Sequence, residues 1–236
     1  MELCILIPAK NEEVTLSETV TILQETLSSK IKFNILVVDD YSEDGTLELL
    51  ANLTEQYSNL SYVSNTSSRG VGNAIKFGLS IWKGDVIAVC MADGSDAPED
   101  ILKSYYMIDQ DGYDCVFGSR FIKGGGTDEY PLLKLVLNRI FNGAVKFIFG
   151  FKYNDFTNIF KVYHRRAIVS IGPILSGGFS IGLEMSVKVL KQKLNVKIIP
   201  ITWKQRTAGV SKLKLSKNIR HYTSTLIYLL RYESQQ

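Results

Sequence analysis

The chain has 236 residues, 45% hydrophobic and 22% charged, which is enough apolar material for a core and excludes a disordered or fibrous chain. Its 27 basic and 24 acidic residues leave a formal charge of +3, too small for a protein whose main work is wrapping nucleic acid. The three cysteines, Cys4, Cys90 and Cys115, sit in apolar runs without C-x-x-C spacing. Disulfide scaffolds and cysteine-rich zinc modules are excluded, and reduced, buried thiols of a cytosolic protein are expected.

The opening MELCILIPAKNEE has no basic leader and no small-residue cleavage site, so no signal peptide is expected. The sequons at Asn52, Asn59 and Asn65 go unused in a cytosolic chain. In chain order the patterns predict a strand at Leu3–Ile7, a helix at Val14–Leu27, a strand at Ile35–Asp39 and a helix at Thr46–Gln56. A strand at Leu60–Ser64, a helix at Gly72–Ile81, a strand at Asp85–Met91, a helix at Pro98–Met107 and a strand at Cys115–Gly118 follow. The continuous apolar strands and the βαβα alternation predict an α/β fold with an open, mostly parallel sheet and helices on both faces.

The second half is less regular. Gly124–Gly126 leads into the amphipathic stretch Leu132–Phe151, then a strand near Phe156–Val162 and helices near Arg165–Ile171 and Leu183–Gln192. A strand at Val196–Ile201, a basic loop and a helix at Ser216–Tyr232 complete the chain. Lys134, Asn138, Arg139, Asn142 and Lys146 interrupt the Leu132–Phe151 stretch, so no transmembrane helix is expected.

Ligands of such sheets bind beyond the carboxyl ends of the strands. There the sequence places Pro8–Glu13 after the first strand, Asp39–Thr46 after the second, and Ala92–Asp96 after the fourth. Three acidic clusters on one sheet edge repel unless a cation or donor groups lie between them, and oxygen ligands of this kind suit magnesium or manganese with a substrate's phosphates. Helix capping and turn formation explain Asp44-Gly45-Thr46 and Asp96-Ala97-Pro98 equally well.

IPAKNEE, VVDDYSEDGT, SSRGVGNAIKFGL, MADGSDAPED, GSRF and PITWKQRTAGVSKLKL stand in one order from Ile5 to about Leu215. Together they resemble family 2 inverting glycosyltransferases with a GT-A fold, in the branch of the dolichol-phosphate mannose synthase type. The resemblance implies transfer of a hexose from a nucleotide-diphosphate sugar, of the GDP-mannose or UDP-glucose kind, to a dolichyl or undecaprenyl phosphate, with Mg2+ or Mn2+ as cofactor.

By the same resemblance Pro8, Glu12, Asp39, Asp40, Gly70, Asn73, Ala92 and Asp93 bind the nucleotide sugar. Asp93 is the principal metal ligand, with Ser95 and Asp96 beside it. The family's D-x-D motif has Met91 in place of its first acid, and Ser95 replaces a glutamine. Asp96 is either a substitute metal oxygen or the N-cap of the following helix. Arg120, Arg139, Arg206 and Lys212 meet the acceptor phosphate, and Ser211 with Lys212 lies in a loop that the family closes over the donor. Asp93, Arg120, Asp155 and Arg206 are the catalytic candidates. Asp155 is either the base for a hydroxyl acceptor or a structural partner of an arginine, since a phosphate acceptor is already anionic and needs no base. Glu184 matches a family glutamate too, and its plainer reading is a helix glutamate packed against a basic loop.

The division expected is a glycosyltransferase domain at 1–212 and an amphipathic helix at 213–236, packed on the domain or on a membrane surface. Lys212, Lys214, Lys217, Arg220 and Arg231 beside Leu226–Leu230 suit the interface of an anionic leaflet. A peripheral protein on the cytoplasmic face of a membrane is expected, with room for an integral-membrane partner. The alternatives are a transferase acting on a saccharide hydroxyl in surface-glycan synthesis, and a non-catalytic sugar-nucleotide-binding subunit.

Overall fold

The computed structural model describes residues 1–128, 130–203 and 215–233, with side chains from 219 onward in the last segment. The parallel half of the fold is β1 (Leu3–Ala9), α1 (Leu16–Leu27), β2 (Phe33–Asp39), α2 (Thr46–Gln56), β3 (Leu60–Ser64), α3 (Val71–Ile81), β4 (Val86–Val89), α4 (Pro98–Asp109) and β5 (Cys115–Ser119). There follow β6 (Gly126–Thr127), α5 (Leu132–Phe149), β7 (Lys161–His164), α6 (Arg165–Ser170), α7 (Ile181–Lys191), β8 (Val196–Pro200), β9 (Thr202–Trp203) and α8 (Leu215–Arg231).

Seven strands form one sheet in the order β3-β2-β1-β4-β7-β5-β8. Only β7 runs antiparallel to its neighbours β4 and β5. Alternate residues of β1 feed two cores, as the two-residue strand period requires. Leu3, Ile5 and Ile7 pack with Val20 and Leu23 of α1 and Ile101 and Tyr105 of α4. Cys4 and Leu6 pack with Ala74 and Ile75 of α3, Leu183 and Val187 of α7 and Leu229 of α8. The expected α/β sheet covered on both faces is therefore the one found.

Two strands differ most from expectation. The strand expected near Phe156–Val162 is Lys161–His164, because Asn158 closes a turn by donating its amide to the Asp155 carbonyl at 3.1 Å. The fourth strand stops at Val89, because the following loop is tied back by Asp96. β6 and β9 pair in parallel across 76 positions, Gly126 opposite Thr202, which no local pattern announces.

α5 buries only Asn142 and Val145. Leu132, Leu133, Val136, Leu137, Ile140, Phe147 and Ile148 are exposed on its other side, Phe147 at 88%. α8 packs on α7, where Thr225 Oγ1 donates to Ser180 Oγ at 3.0 Å and Lys191 Nζ donates to the Leu229 carbonyl at 2.8 Å. Among the described residues no helix is long and apolar enough to cross a membrane.

Candidate active site

The strand order reverses between β1 and β4, and the crevice of an open α/β sheet lies at that switch point. Pro8 stands opposite Val38 and Ala9 opposite Asp39 at the carboxyl ends of β1 and β2. The Asp40 amide donates to the Ala9 carbonyl at 2.7 Å and locks the two strand ends together. The buried Asp39 carboxylate accepts from the Ser42 amide at 3.3 Å. Asp40 accepts from Asn65 Nδ2 at 3.0 Å and from the Gly70 amide at 2.8 Å, so it shapes the Arg69–Asn73 segment. Gly70 has φ +135°, and a Cβ there would lie 2.4 Å from the Gly177 carbonyl oxygen, so only glycine fits. The Asn73 amide donates to that same carbonyl at 3.2 Å, and Asn73 Nδ2 donates to the Arg69 carbonyl at 3.2 Å. The Glu12 amide donates to Thr46 Oγ1, and the Glu12 carboxylate accepts from Thr15 Oγ1, each at 2.9 Å. Asp44 takes the structural role weighed for it, accepting from the Thr46 amide at 3.1 Å at the start of α2.

After β4, Thr19 Oγ1 of α1 holds the Ala92 carbonyl at 3.0 Å. Asp93 Oδ1 accepts from the Ser95 amide at 3.2 Å. Asp96 does not cap α4, whose N-cap is Ala97 with no side-chain cap. Instead its carboxylate accepts from the Met91 amide at 2.9 Å and closes the loop. Burial pushes the Asp96 carboxyl up to about 7; the Met91 amide and Arg120 oppose the rise, and Asp93 adds to it. Asp93, Asp96 and Arg120 thus share one electrostatic neighbourhood.

No three His, Cys, Asp or Glu side chains gather as a protein-only metal cage among the described residues. The set at Asp93, Ser95 and Asp96 fits a hard divalent cation that takes one or two carboxylates and completes its shell with substrate phosphates. Two neighbouring acids hinder each other's ionisation until a cation joins them.

Arg120 closes β5. Its Nε and Nη2 reach Asp155 at 2.8 and 2.6 Å, and the Asp155 side chain is fully buried. Burial alone would lower the guanidinium pKa, but the Asp155 charge and its hydrogen bonds outweigh that and raise it. With both oxygens on Arg120, Asp155 is that arginine's anchor, and the base for a hydroxyl is not what this geometry offers. Next to it Asn154 Oδ1 accepts from Ser119 Oγ at 2.7 Å, and the Asn154 carbonyl accepts from Arg139 Nη1 at 3.0 Å. The Arg120 and Arg139 guanidiniums lie 5.1 and 4.2 Å from the centroid of the Phe121 ring, so one ring joins the two cations. Tyr130 stands 5.7 Å from Arg120 and edge-on to Trp203, at 5.1 Å. Arg206, Ser211 and Lys212 lie outside the described residues, as does the expected domain boundary at 212.

The basic loop expected beside Glu184 lies outside the described residues. Glu184 accepts from the Leu175 and Ser176 amides at 2.9 and 2.7 Å and pairs with Lys188 of its own helix at 2.9 Å. Two residues escaped the sequence reading. Asn154 bridges Ser119, Phe121 and Arg139, and no motif marks it. Lys161 is fully buried, and the signal was a lone charge inside the apolar run Ile159-Phe160-Lys161-Val162-Tyr163. Burial pulls its pKa down to about 7, and the Asp155 charge opposes the fall.

Residues 4–172 match the family Glycosyl transferase family 2. The chain is 33% identical over 193 residues to the polyprenol monophosphomannose synthase of Mycolicibacterium smegmatis, covering 79% of this chain and 72% of that protein. It is 29% identical over 239 residues to the dolichol-phosphate mannosyltransferase of Pyrococcus furiosus, covering all of this chain but 65% of the archaeal protein. The fold is shared with glucosyl-3-phosphoglycerate synthase of Mycobacterium tuberculosis solved with Mn2+, UDP and phosphoglyceric acid, at a TM-score of 0.72 and 17% identity, over 99% of this chain and 80% of that one. The same enzyme solved with Mg2+ and UDP gives a TM-score of 0.71 at 17% identity, over 96% of this chain and 78% of that one. The chain belongs to glycosyl transferase family 2, with the GT-A fold, in the branch of the dolichol-phosphate mannose synthase type.

Proposed function

We propose that this protein is an inverting hexosyltransferase that moves one sugar from a nucleotide-diphosphate donor to a polyprenyl phosphate at a membrane surface. The observation that carries the reading is the position of Arg139. It lies on α5, shares the Phe121 ring with Arg120, and belongs to the helix whose other side exposes seven large apolar residues. A phosphate on an apolar tail suits that combination, and the names of the two relatives point the same way.

The nucleoside rests against Pro8, Glu12, Asp39 and Asp40 and the backbone around Gly70, with Asn73 holding that backbone in place. Its diphosphate extends past Ala92 toward Asp93. The lipid phosphate sits between Arg120 and Arg139, and the family resemblance gives Arg206 and Lys212 a share in binding it. One of its oxygens forms a bond to the anomeric carbon as the bond to the diphosphate oxygen breaks on the opposite side, so the configuration inverts and the nucleoside diphosphate leaves. The nucleophile is already anionic, so the chain's task is to hold charge: the guanidiniums position the acceptor and offset the charge on the departing group. Mg2+ or Mn2+ held by Asp93 with Asp96 and Ser95 would supply Lewis-acid neutralisation of the diphosphate. The metal-bound neighbours of the fold support a divalent cation.

α5 and the C-terminal helix form the membrane-facing side in this reading. Ile227 and Leu230 of α8 are also exposed. The three free, buried thiols agree with a reducing, cytoplasmic-side location. The test is nucleoside diphosphate release by purified protein. GDP-mannose and UDP-glucose are offered with Mg2+ or Mn2+, with and without a polyprenyl phosphate in detergent. Release that needs the lipid phosphate and one donor supports the reading, and release with saccharide acceptors alone contradicts it.

A further inference from the structure

A fully buried lysine, near enough to Arg120 to feel its charge, has no part in the reaction as described. Lys161 opens β7 opposite Val89 of β4 and Phe117 of β5, and none of it reaches solvent. Its Nζ donates to the Asn158 carbonyl and lies 5.6 Å from the centroids of both the Phe117 and Tyr153 rings. Among the described residues no carboxylate forms an ion pair with it within 4.0 Å. A buried ammonium is costly to keep from water, and one carbonyl and two aromatic faces offset only part of that cost. Methionine would occupy the same space at lower cost, so fold stability alone does not account for a lysine there.

We propose that Lys161 is a positioning residue for phosphate binding, acting through the turn 154–158 that holds Arg120 and Arg139. This rests on the reading of those arginines as the acceptor-phosphate site. The links are continuous. Lys161 pins the Asn158 carbonyl, which also packs so closely on Gly182 of α7 that a Cβ there would stand 2.8 Å from it. The Asn158 amide closes onto Asp155, and Asp155 grips Arg120. Within the same turn the Asn154 carbonyl holds Arg139, and Asn154 Nδ2 donates to the Phe121 carbonyl at 3.0 Å. A shift at Asn158 therefore displaces both guanidiniums and the ring between them.

Full-length Lys161→Met and Lys161→Gln test this, read by thermal melting, titration with inorganic phosphate, and separate KM values for donor and lipid phosphate. Both variants are expected to melt within about 4 °C of the parent, the shift expected of roughly 1 kcal/mol in a chain of this size. Affinity for inorganic phosphate and kcat/KM for the lipid phosphate fall roughly 10- to 100-fold in Lys161→Met, the scale of an ångström-sized misplacement. Donor KM stays within about twofold, since none of the links from Lys161 through Asn158 and Asp155 runs to the nucleoside residues Pro8, Glu12, Asp39 and Asp40. Lys161→Gln, which keeps a donor for the Asn158 carbonyl, recovers part of the loss.

Unchanged phosphate affinity in a folded Lys161→Met overturns the proposal. So does a loss of more than about 10 °C in both variants with every parameter falling together, because Lys161 would then be structural. If the parent shows no lipid-dependent turnover yet Lys161→Met still loses phosphate affinity, the positioning role stands and the assigned reaction fails.

Discussion

Asp155 takes Arg120 in a fork, Oδ2 to Nε at 2.8 Å and Oδ1 to Nη2 at 2.6 Å, while the Arg120 amide donates to the same carboxylate at 3.1 Å. Backbone and side chain of one arginine are fixed by one buried acid, which makes the guanidinium a pre-set cation. Removing only the acid leaves a buried charge without its partner. Asp155→Ala is expected to cost about 3–5 kcal/mol of stability, the range for breaking a buried ion pair. Arg120→Met with Asp155→Leu is expected to cost less than Asp155→Ala alone, and both proteins to be inactive. Urea melts of the variants decide it: a double variant no more stable than Asp155→Ala contradicts the pairing account.

Among the described residues, one side of α5 leaves large apolar side chains such as Ile140 and Phe147 exposed. Ile140→Glu with Phe147→Glu is expected to leave the melting temperature near that of the parent, since substitutions at exposed positions usually change stability by about 0.5 kcal/mol or less. Binding to anionic vesicles is expected to weaken by about tenfold or more, because each change removes apolar area from the interface and adds a repelled charge. Co-sedimentation measures this, and equal binding by parent and variant would remove α5 from the membrane surface.

Met91 occupies the place of an acid in the resembled D-x-D pattern, and its amide is already held by Asp96. Met91→Asp therefore adds a carboxylate without breaking that bond. Mn2+ affinity with bound nucleoside diphosphate is expected to tighten roughly tenfold, as an added hard oxygen ligand predicts. Asp93→Asn is expected to weaken it by a similar factor or more. Calorimetric Mn2+ titration of both variants is the check, and an indifferent Asp93→Asn would move the metal elsewhere.

Glu184 carries a pH dependence. Burial pushes its carboxyl up, but the bonds from Ser176, Leu175 and Lys188 outweigh burial and leave it below the ordinary value of 4.5. A folded-state pKa below the unfolded one gives stability that is present above pH 4.5 and lost as pH falls through the folded value. The stability difference between the parent and Glu184→Gln should therefore be constant from neutral pH down to about 5 and shrink in more acidic solution. Urea melts across that range test it. A difference that stays level at low pH would remove Glu184 as the acid-sensitive group.

The parallel half of the sheet was legible because its central strands are continuous apolar runs that fill both cores, as in Ile35–Asp39. The strand ends were legible for the same reason: polar residues right after such runs must lie at the crevice. What stayed hidden was set by contacts between distant segments. The turn 154–158 displaced the expected strand because Asp155, Asn154 and Thr157 answer to Arg120, Arg139 and α5, none of them neighbours in sequence. Asp96 stood open between a metal oxygen and a helix cap, because an acid before Ala-Pro commonly caps, yet its carboxylate reaches back to Met91. Arg69 packs 5.1 Å from the Tyr41 ring, a contact visible only once the loops after β2 and β3 are brought together.

The central claim is that this chain transfers a sugar to a lipid phosphate. Nucleoside diphosphate release, followed with each donor in turn while polyprenyl phosphate is added or withheld, tests it most directly. The account predicts release that depends on lipid phosphate, on a divalent cation and on a single donor, and that disappears in Arg120→Met. Release that is indifferent to lipid phosphate, or that persists in Arg120→Met, would contradict it.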